Sequence, residues 1–209
     1  MPVIKGLQAK LIKDRFFSAM EKKGYVTFDG NSKYNLNIIS TRNSSHDATK
    51  FDDLLVVIYR GEDKEWIVSS YEITTDPGPN ILRKPINRKG TAILVPDQYR
   101  STWKIGPHGK TRYIALTQRL GEVKVFRDND KDRKLEMEDR TIDKGYFGIN
   151  IHKHASSYER EFVRGASAGC QVFKNTKDFN AFMELCHISA DLFDNSFTYT
   201  LLEENDLKD

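Results

Sequence analysis

Six consecutive apolar residues, Leu54-Leu55-Val56-Val57-Ile58-Tyr59, constrain this chain more than any other stretch. A run of that length between turn signals is a buried strand. Arg60-Gly61-Glu62-Asp63 reads as a turn, and Trp66-Ile67-Val68-Ser69-Ser70-Tyr71 returns as its hairpin partner. Asp76-Pro77-Gly78-Pro79 closes the region. Three more strands follow, at Thr91-Ala92-Ile93-Leu94-Val95, Tyr113-Ile114-Ala115-Leu116 and Val123-Lys124-Val125-Phe126. Ile105-Gly106-Pro107-His108-Gly109 reads as a tight loop between them. Several short strands separated by turn signals argue for a sandwich or a barrel-like sheet.

Helical periodicity frames this β-rich middle. Residues 7–23 form an amphipathic helix in which Leu7, Leu11, Phe16, Phe17 and Met20 share one face, and Gly24 stops it. Tyr25-Val26-Thr27-Phe28 and Tyr34-Asn35-Leu36-Asn37-Ile38-Ile39 read as short strands. Residues 178–193 form a second helix with Phe179, Phe182, Met183, Cys186 and Leu192 inward, capped by Asn175, Thr176 or Asp178. Phe197-Thr198-Tyr199-Thr200-Leu201-Leu202 is a closing strand. The fold class is therefore α+β, mainly β. The expected organisation is an N-terminal helix and short strands at 1–50, packed on a main domain at 51–202, and a charged, frayed tail at 203–209.

With 209 residues, 38% of them hydrophobic and 11% aromatic, the chain can bury one large core. A net charge of +3 is far too small to point to nucleic acid. Met1-Pro2-Val3-Ile4-Lys5-Gly6 leads into charged residues with no apolar core of a secretion signal. No apolar run reaches the length of a membrane span. The expectation is synthesis in the cytoplasm, with release or delivery needed for any substrate outside the membrane.

Of the two cysteines, Cys186 reads as a small buried hydrophobe, and both as reduced. Cys170 is different. It follows Gly165-Ala166-Ser167-Ala168-Gly169, a flexible run of small residues that would deliver it to the start of a helix. Eighteen residues upstream, the alternating run Gly148-Ile149-Asn150-Ile151 ends on His152. A thiol becomes a nucleophile when a base or a positive field ionises it, and this arrangement can supply both. The backbone N–H groups of Gly169 and Cys170 would point into one cavity and hold a developing oxyanion. Gly169 would also leave room for substrate. The His152 ring needs an acceptor to orient it, and the backbone carbonyl of Lys153 is the candidate. Ser167 reads as a loop-shaping hydroxyl. His154 reads as exposed beside the site, and His108 as a solvated turn histidine, with reach into the pocket as the alternative. Core packing explains Tyr99 and Trp103 as well as an aromatic wall would.

Ile151-His152, fourteen intervening residues and Ser167-Ala168-Gly169-Cys170 resemble the active-site signature of the L,D-transpeptidase catalytic domain. The resemblance spans roughly 51–202, and its specific part lies within 148–173. Ala168 replaces the family's second histidine, and Gln171-Val172 replaces its hydrophobic residue followed by Asn or Arg. Residues 34–39, 51–59, 74–78 and 167–173 are also similar to small proteins encoded by bacteriophages and gut bacteria. The family resemblance implies a β-sandwich with a helix after the cysteine. It implies acyl transfer on peptidoglycan stem peptides, with Cys170 as nucleophile and His152 as base. Gly169, Ser167, Gln171 and Lys153 would shape the oxyanion hole and pocket. The missing export signal favours a cutting role over crosslinking. The alternative is a non-catalytic wall-binding or virion structural module that keeps the fold.

One further motif stands apart. From Asp128 to Asp139 the chain resembles a twelve-residue calcium loop. Asp128, Asp130, Asp132, Glu136 and Asp139 fall at ligand positions, although Arg133 stands where the sharp turn prefers glycine. The expected role is a structural calcium that holds the hairpin ahead of His152.

Overall fold

A computed structural model describes residues 3–154, 159 and 161–208. Met1, Pro2 and Asp209, the extreme ends of the expected N-terminal region and tail, lie outside the described residues. In chain order the elements are β1 (Val3–Lys5), α1 (Gly6–Lys22), β2 (Asn37–Arg42), β3 (Asp53–Arg60), β4 (Trp66–Thr74), α2 (Pro79–Arg83), β5 (Thr91–Leu94) and β6 (Gln98–His108). They continue with β7 (Tyr113–Gln118), β8 (Val123–Asp128), β9 (Asp143–Gly145), β10 (Ile151–Lys153), β11 (Gln171–Phe173), α3 (Thr176–Leu192) and β12 (Phe197–Glu203). The protein is mainly β, with one large mixed sheet and three α-helices among the described residues.

The large sheet runs β1-β4-β11-β10-β7-β6-β12-β2-β3, and β3 pairs again with β4. That last pairing closes the strands from β4 round to β3 into a ring and leaves β1 outside it, attached to β4. β5, β8 and β9 make a separate small sheet. β2 lies between β12, which it pairs in parallel, and β3, which it pairs antiparallel. The expected boundary near residue 50 therefore separates two neighbouring strands of one sheet.

The unbroken apolar run in β3 follows from burial on both faces. Leu55, Val57 and Tyr59 join the main core with Trp103, Tyr199, Phe173 and Phe182. Val56 and Ile58 face the other way and pack with Phe16, Ala19 and Met20 of α1. Burying each of these large side chains contributes roughly 1.5–3 kcal/mol. α3 closes the main core with Phe179, Phe182, Met183 and Cys186. Asn175 caps α3, its side-chain oxygen accepting from the Lys177 amide at 2.8 Å.

Several local expectations are corrected. Leu7 and Leu11 are 74% and 62% exposed, and the buried face of α1 is Ala9, Phe16, Ala19 and Met20. Small alanines let the helix lie close to the sheet, which a search for large apolar residues overlooks. Leu192, expected inward, is exposed at the end of α3. Residues 25–28 form no strand; the Val26 backbone is held instead by the Gln98 side chain. Residues 105–108 are the end of β6, paired from Ile105↔Leu116 to His108↔Tyr113, and not a loop. Tyr99 and Trp103 are core residues. The tail does not fray immediately: Glu203 ends β12, and Glu204–Leu207 form a 3-10 turn closed by a capping box between Glu203 and Asp206.

Candidate active site at the β10–β11 junction

The parallel pair β10–β11 sets His152 opposite Val172 and Ile151 opposite Gln171. Parallel strands must be linked by a crossover, and here the crossover contains the Gly165–Cys170 loop. Cys170 thus leads into β11, and α3 begins only at Thr176. The expected helix directly after the cysteine is displaced by this short strand.

The loop is braced from within. Ser167 Oγ donates to the Cys170 carbonyl at 2.8 Å and accepts from the Gly169 amide at 3.1 Å. This is the loop-shaping hydroxyl the sequence suggests. It also withdraws the Gly169 N–H from the expected oxyanion hole, leaving the Cys170 amide as that loop's remaining candidate. Gly169 is required for a different reason than substrate space. Its φ is +110°, and a Cβ there would sit 2.3 Å from the Ala92 carbonyl of β5. Gln171 is not in the pocket. It is fully buried beneath the loop, accepting from the Tyr199 hydroxyl at 2.8 Å and donating to the Gly169 carbonyl at 3.3 Å.

His152 is 7% exposed. Its Nδ1 lies 2.7 Å from the Lys153 carbonyl, the acceptor expected from the sequence. A carbonyl can only accept, so Nδ1 carries the proton and Nε2 presents the lone pair. Tyr113 supports the same carbonyl, donating to it at 2.9 Å, with its oxygen 3.2 Å from His152 Nδ1. Burial pushes His152 down to about 3, and the charge of His108 pushes in the same direction.

Cys170 retains partial exposure and, like Ala166, packs against the cluster of Phe51, Val163 and Val172. Its thiol donates to the Gly148 carbonyl and accepts from the Asn150 amide, both at 3.4 Å. Among the described residues no hydrogen bond joins its sulfur to His152. Burial raises the thiol to about 11, against the opposing effect of the Asn150 amide. The site therefore rests as a neutral thiol and a neutral imidazole. The Tyr113 hydroxyl is raised by burial and then by the charge a Cys170 thiolate would carry, which places the phenol within electrostatic reach of the sulfur.

Of two further members, sequence reasoning set His108 aside and missed Asn150. His108, expected to be solvated, stacks on His152 with ring centres 4.1 Å apart and planes 24° apart. Asn150 connects the groups: its amide reaches the thiol, and its side chain lies 2.9 Å from His108 Nδ1. The available signal was its position two residues before His152, on the same side of the alternating strand. His154, expected to be exposed, is buried near Phe51.

Two clefts flank the loop. One, of ≈ 490 Å³, is lined by His108, Tyr113, His152, Lys153, Gly165 and Ala166 among others. The second, of ≈ 310 Å³, is lined by Ala168, Ile86, Tyr146, Phe147 and Arg127 among others. Cys170 does not line either of these two, although it keeps partial exposure.

The acidic loop is organised by its own backbone. Asp128, Asp130 and Asp132 accept from the amides of Glu136, Asp132 and Lys134 at 3.0, 3.0 and 2.7 Å. Arg133 adopts the left-handed conformation, φ +79°, that the sixth position of such a loop needs. Asp139 lies in a 3-10 turn. Among the described residues no group of three or more His, Cys, Asp or Glu side chains is gathered so as to hold a metal ion. The same residues contain no helix long and apolar enough to cross a membrane.

No family model, curated protein or solved structure matches this chain.

Proposed function

We propose that this protein is a cysteine-dependent acyl-transfer enzyme acting on peptidoglycan stem peptides, with an L,D-transpeptidase-like β-sandwich, and that hydrolysis is its main outcome. The observation that carries this reading is the fixed orientation of His152. Its Nδ1–H is tied to the Lys153 carbonyl, its Nε2 is left as a base, and Cys170 immediately precedes the strand paired with its own. The thiol turns from the Gly148 carbonyl toward His152, which takes its proton as the sulfur attacks a carbonyl next to a D-residue. His152 then protonates the leaving amine, and a thioester remains on Cys170. Water releases the acyl group as an acid, whereas an amine would yield a crosslink.

The test is incubation of purified stem peptides with wild type and Cys170→Ala, read by mass spectrometry. A product shortened by one amino acid, made by wild type alone, supports the carboxypeptidase reading; a joined product makes the protein a transpeptidase. Unchanged peptide in both removes the claim for this substrate.

One observation favours the alternative of a non-catalytic wall-binding or virion structural module. The thiol is neutral at rest and already hydrogen-bonded away from the base. Peptidoglycan that retains the Cys170→Ala protein in a pull-down, with stem peptides left intact by wild type, would favour that module.

We also propose the acidic loop as a structural calcium site. Asp128 is 2% exposed, and its Oδ1 has no hydrogen-bond partner among the described residues. Burial, and then the charges of Asp130 and Glu136, raise its carboxyl to about 6. An ion there would draw Asp130, Asp132 and Glu136 toward Asp128 and relieve both costs.

A further inference from the structure

Backbone partners fix the protonation pattern of the stacked histidine pair. The Gln118 amide donates to one end of the Asn150 side chain at 2.8 Å. A backbone N–H can only donate, so that end is the oxygen. The other end is the NH2 group, and it faces His108 Nδ1 at 2.9 Å. An NH2 group donates, so His108 Nδ1 accepts and carries no proton. The proton of the neutral ring therefore sits on Nε2. His152 has the opposite arrangement, with the proton on Nδ1 against the Lys153 carbonyl. Two rings 4.1 Å apart thus offer one cleft a basic nitrogen and an N–H donor.

We propose that His108 Nε2–H is the oxyanion donor of the site. It hydrogen-bonds the carbonyl oxygen of a peptide or ester substrate and holds the negative charge that collects there as Cys170 attacks. This rests on the acyl-transfer reading above. Three observations lead to it. The Gly169 amide, one of the two donors expected from the loop, is taken by Ser167, which leaves the Cys170 amide in need of a second donor. Asn150 holds both the Cys170 sulfur, through its amide, and His108, through its side chain, so donor and nucleophile are positioned by one buried residue. The Tyr113 ring meets His108 in a T-shaped contact at 5.3 Å and helps to fix the imidazole. Burial, together with the charge of Arg119, also keeps the imidazole below its ordinary range, so at neutral pH it acts as a neutral donor. Ketosteroid isomerase and serine-protease chemistry show the general value of such donors, each stronger in a site from which water is excluded.

Two probes that differ in whether an oxyanion forms provide the test. With p-nitrophenyl acetate, the Cys170 sulfur bonds to the acetyl carbon and the carbonyl electrons move onto oxygen. They return as the bond to p-nitrophenolate breaks, and the thiol proton passes to His152 and then to solvent. Iodoacetamide alkylates the same sulfur by displacing iodide, with no oxyanion. His108→Phe keeps an aromatic ring and removes the donor. The expected result is a fall of about 100-fold in acetylation of Cys170, with alkylation at the same pH changed by less than about threefold. His108→Gln, whose amide can donate, should recover part of the acetylation rate. Equal losses with both probes, or no loss of acetylation, would overturn the inference and leave the acyl-transfer reading standing. A native wild type that alkylates but is never acetylated would remove both. Independent of any variant folding, ¹⁵N NMR of the wild type should find His108 protonated on Nε2; protonation on Nδ1 would overturn the assignment.

Discussion

The Cys170 thiol points at the backbone carbonyl of Gly148, 3.4 Å away, and not at His152. This is a different resting state from the pre-formed thiolate that the motif suggests. Burial has moved the thiol from 9.0 to about 11. Native protein at pH 7 should therefore react with iodoacetamide about 100-fold more slowly than a thiol of ordinary pKa. The rate should climb as pH approaches 11. Rapid alkylation at pH 5–6, followed by mass spectrometry of the Cys170 peptide, would contradict this resting state.

His152 makes acid stability testable. Its folded value lies near 3 and its ordinary value is 6.5, so folding favours the neutral ring. That contribution is complete above pH 6.5 and is lost as pH falls from 6.5 toward 3. The urea midpoint should drop between pH 7 and pH 4 in wild type, and drop less in His152→Gln. Equal drops in both proteins would mean that the ring is solvated in the folded state.

Gly169→Ala should be costly at a single methyl. The left-handed backbone and the 2.3 Å approach to the Ala92 carbonyl act together. A loss of roughly 2 kcal/mol or more is expected from backbone strain and displacement of β5, measured by urea unfolding. Ala168→Gly, one residue earlier, serves as the comparison and should change stability by less than about 1 kcal/mol.

At the end of β2, Arg42 is fully buried and donates to Asp76 at 2.9 Å, Glu203 at 3.4 Å and the Leu94 carbonyl at 3.0 Å. Asp53 lies in the same cluster, held by the Asn43 and Thr75 amides. Removing the guanidinium leaves buried carboxylates without their cation. Arg42→Met should destabilise the protein by about 3–5 kcal/mol. Asp76→Asn combined with Arg42→Met should recover part of that loss.

For the acidic loop, calcium should raise the melting temperature and a chelator should lower it, with Asp128→Asn abolishing the difference. An unchanged midpoint with and without chelator would end the proposal of a bound ion.

The sequence made the strand-rich middle legible because β3 is covered on both faces and its turn residues are unambiguous. It made the His152–Lys153 contact legible because a histidine base needs an acceptor and the adjacent carbonyl is within reach. It concealed His108 because Gly106 and Pro107 look like loop residues. In the structure those two sit within β6, whose register carries His108 to the end of a long strand. Asn150 was equally hidden. Its effect depends on three partners, Gln118, His108 and Cys170, brought together by separate strands. The face of α1 was misread because Ala9 and Ala19 contribute by allowing close approach, not by their own apolar area.

The pairing of β3 with β4 has a consequence for how anything is grasped. A circle of strands stitched end to end keeps no open hem of its own on which a visiting peptide could be sewn; the loose border belongs to β1, which hangs from β4 outside the circle. Recognition by that circle falls instead to the side chains at its rim, where a handful of rings and hydroxyls decide what enters.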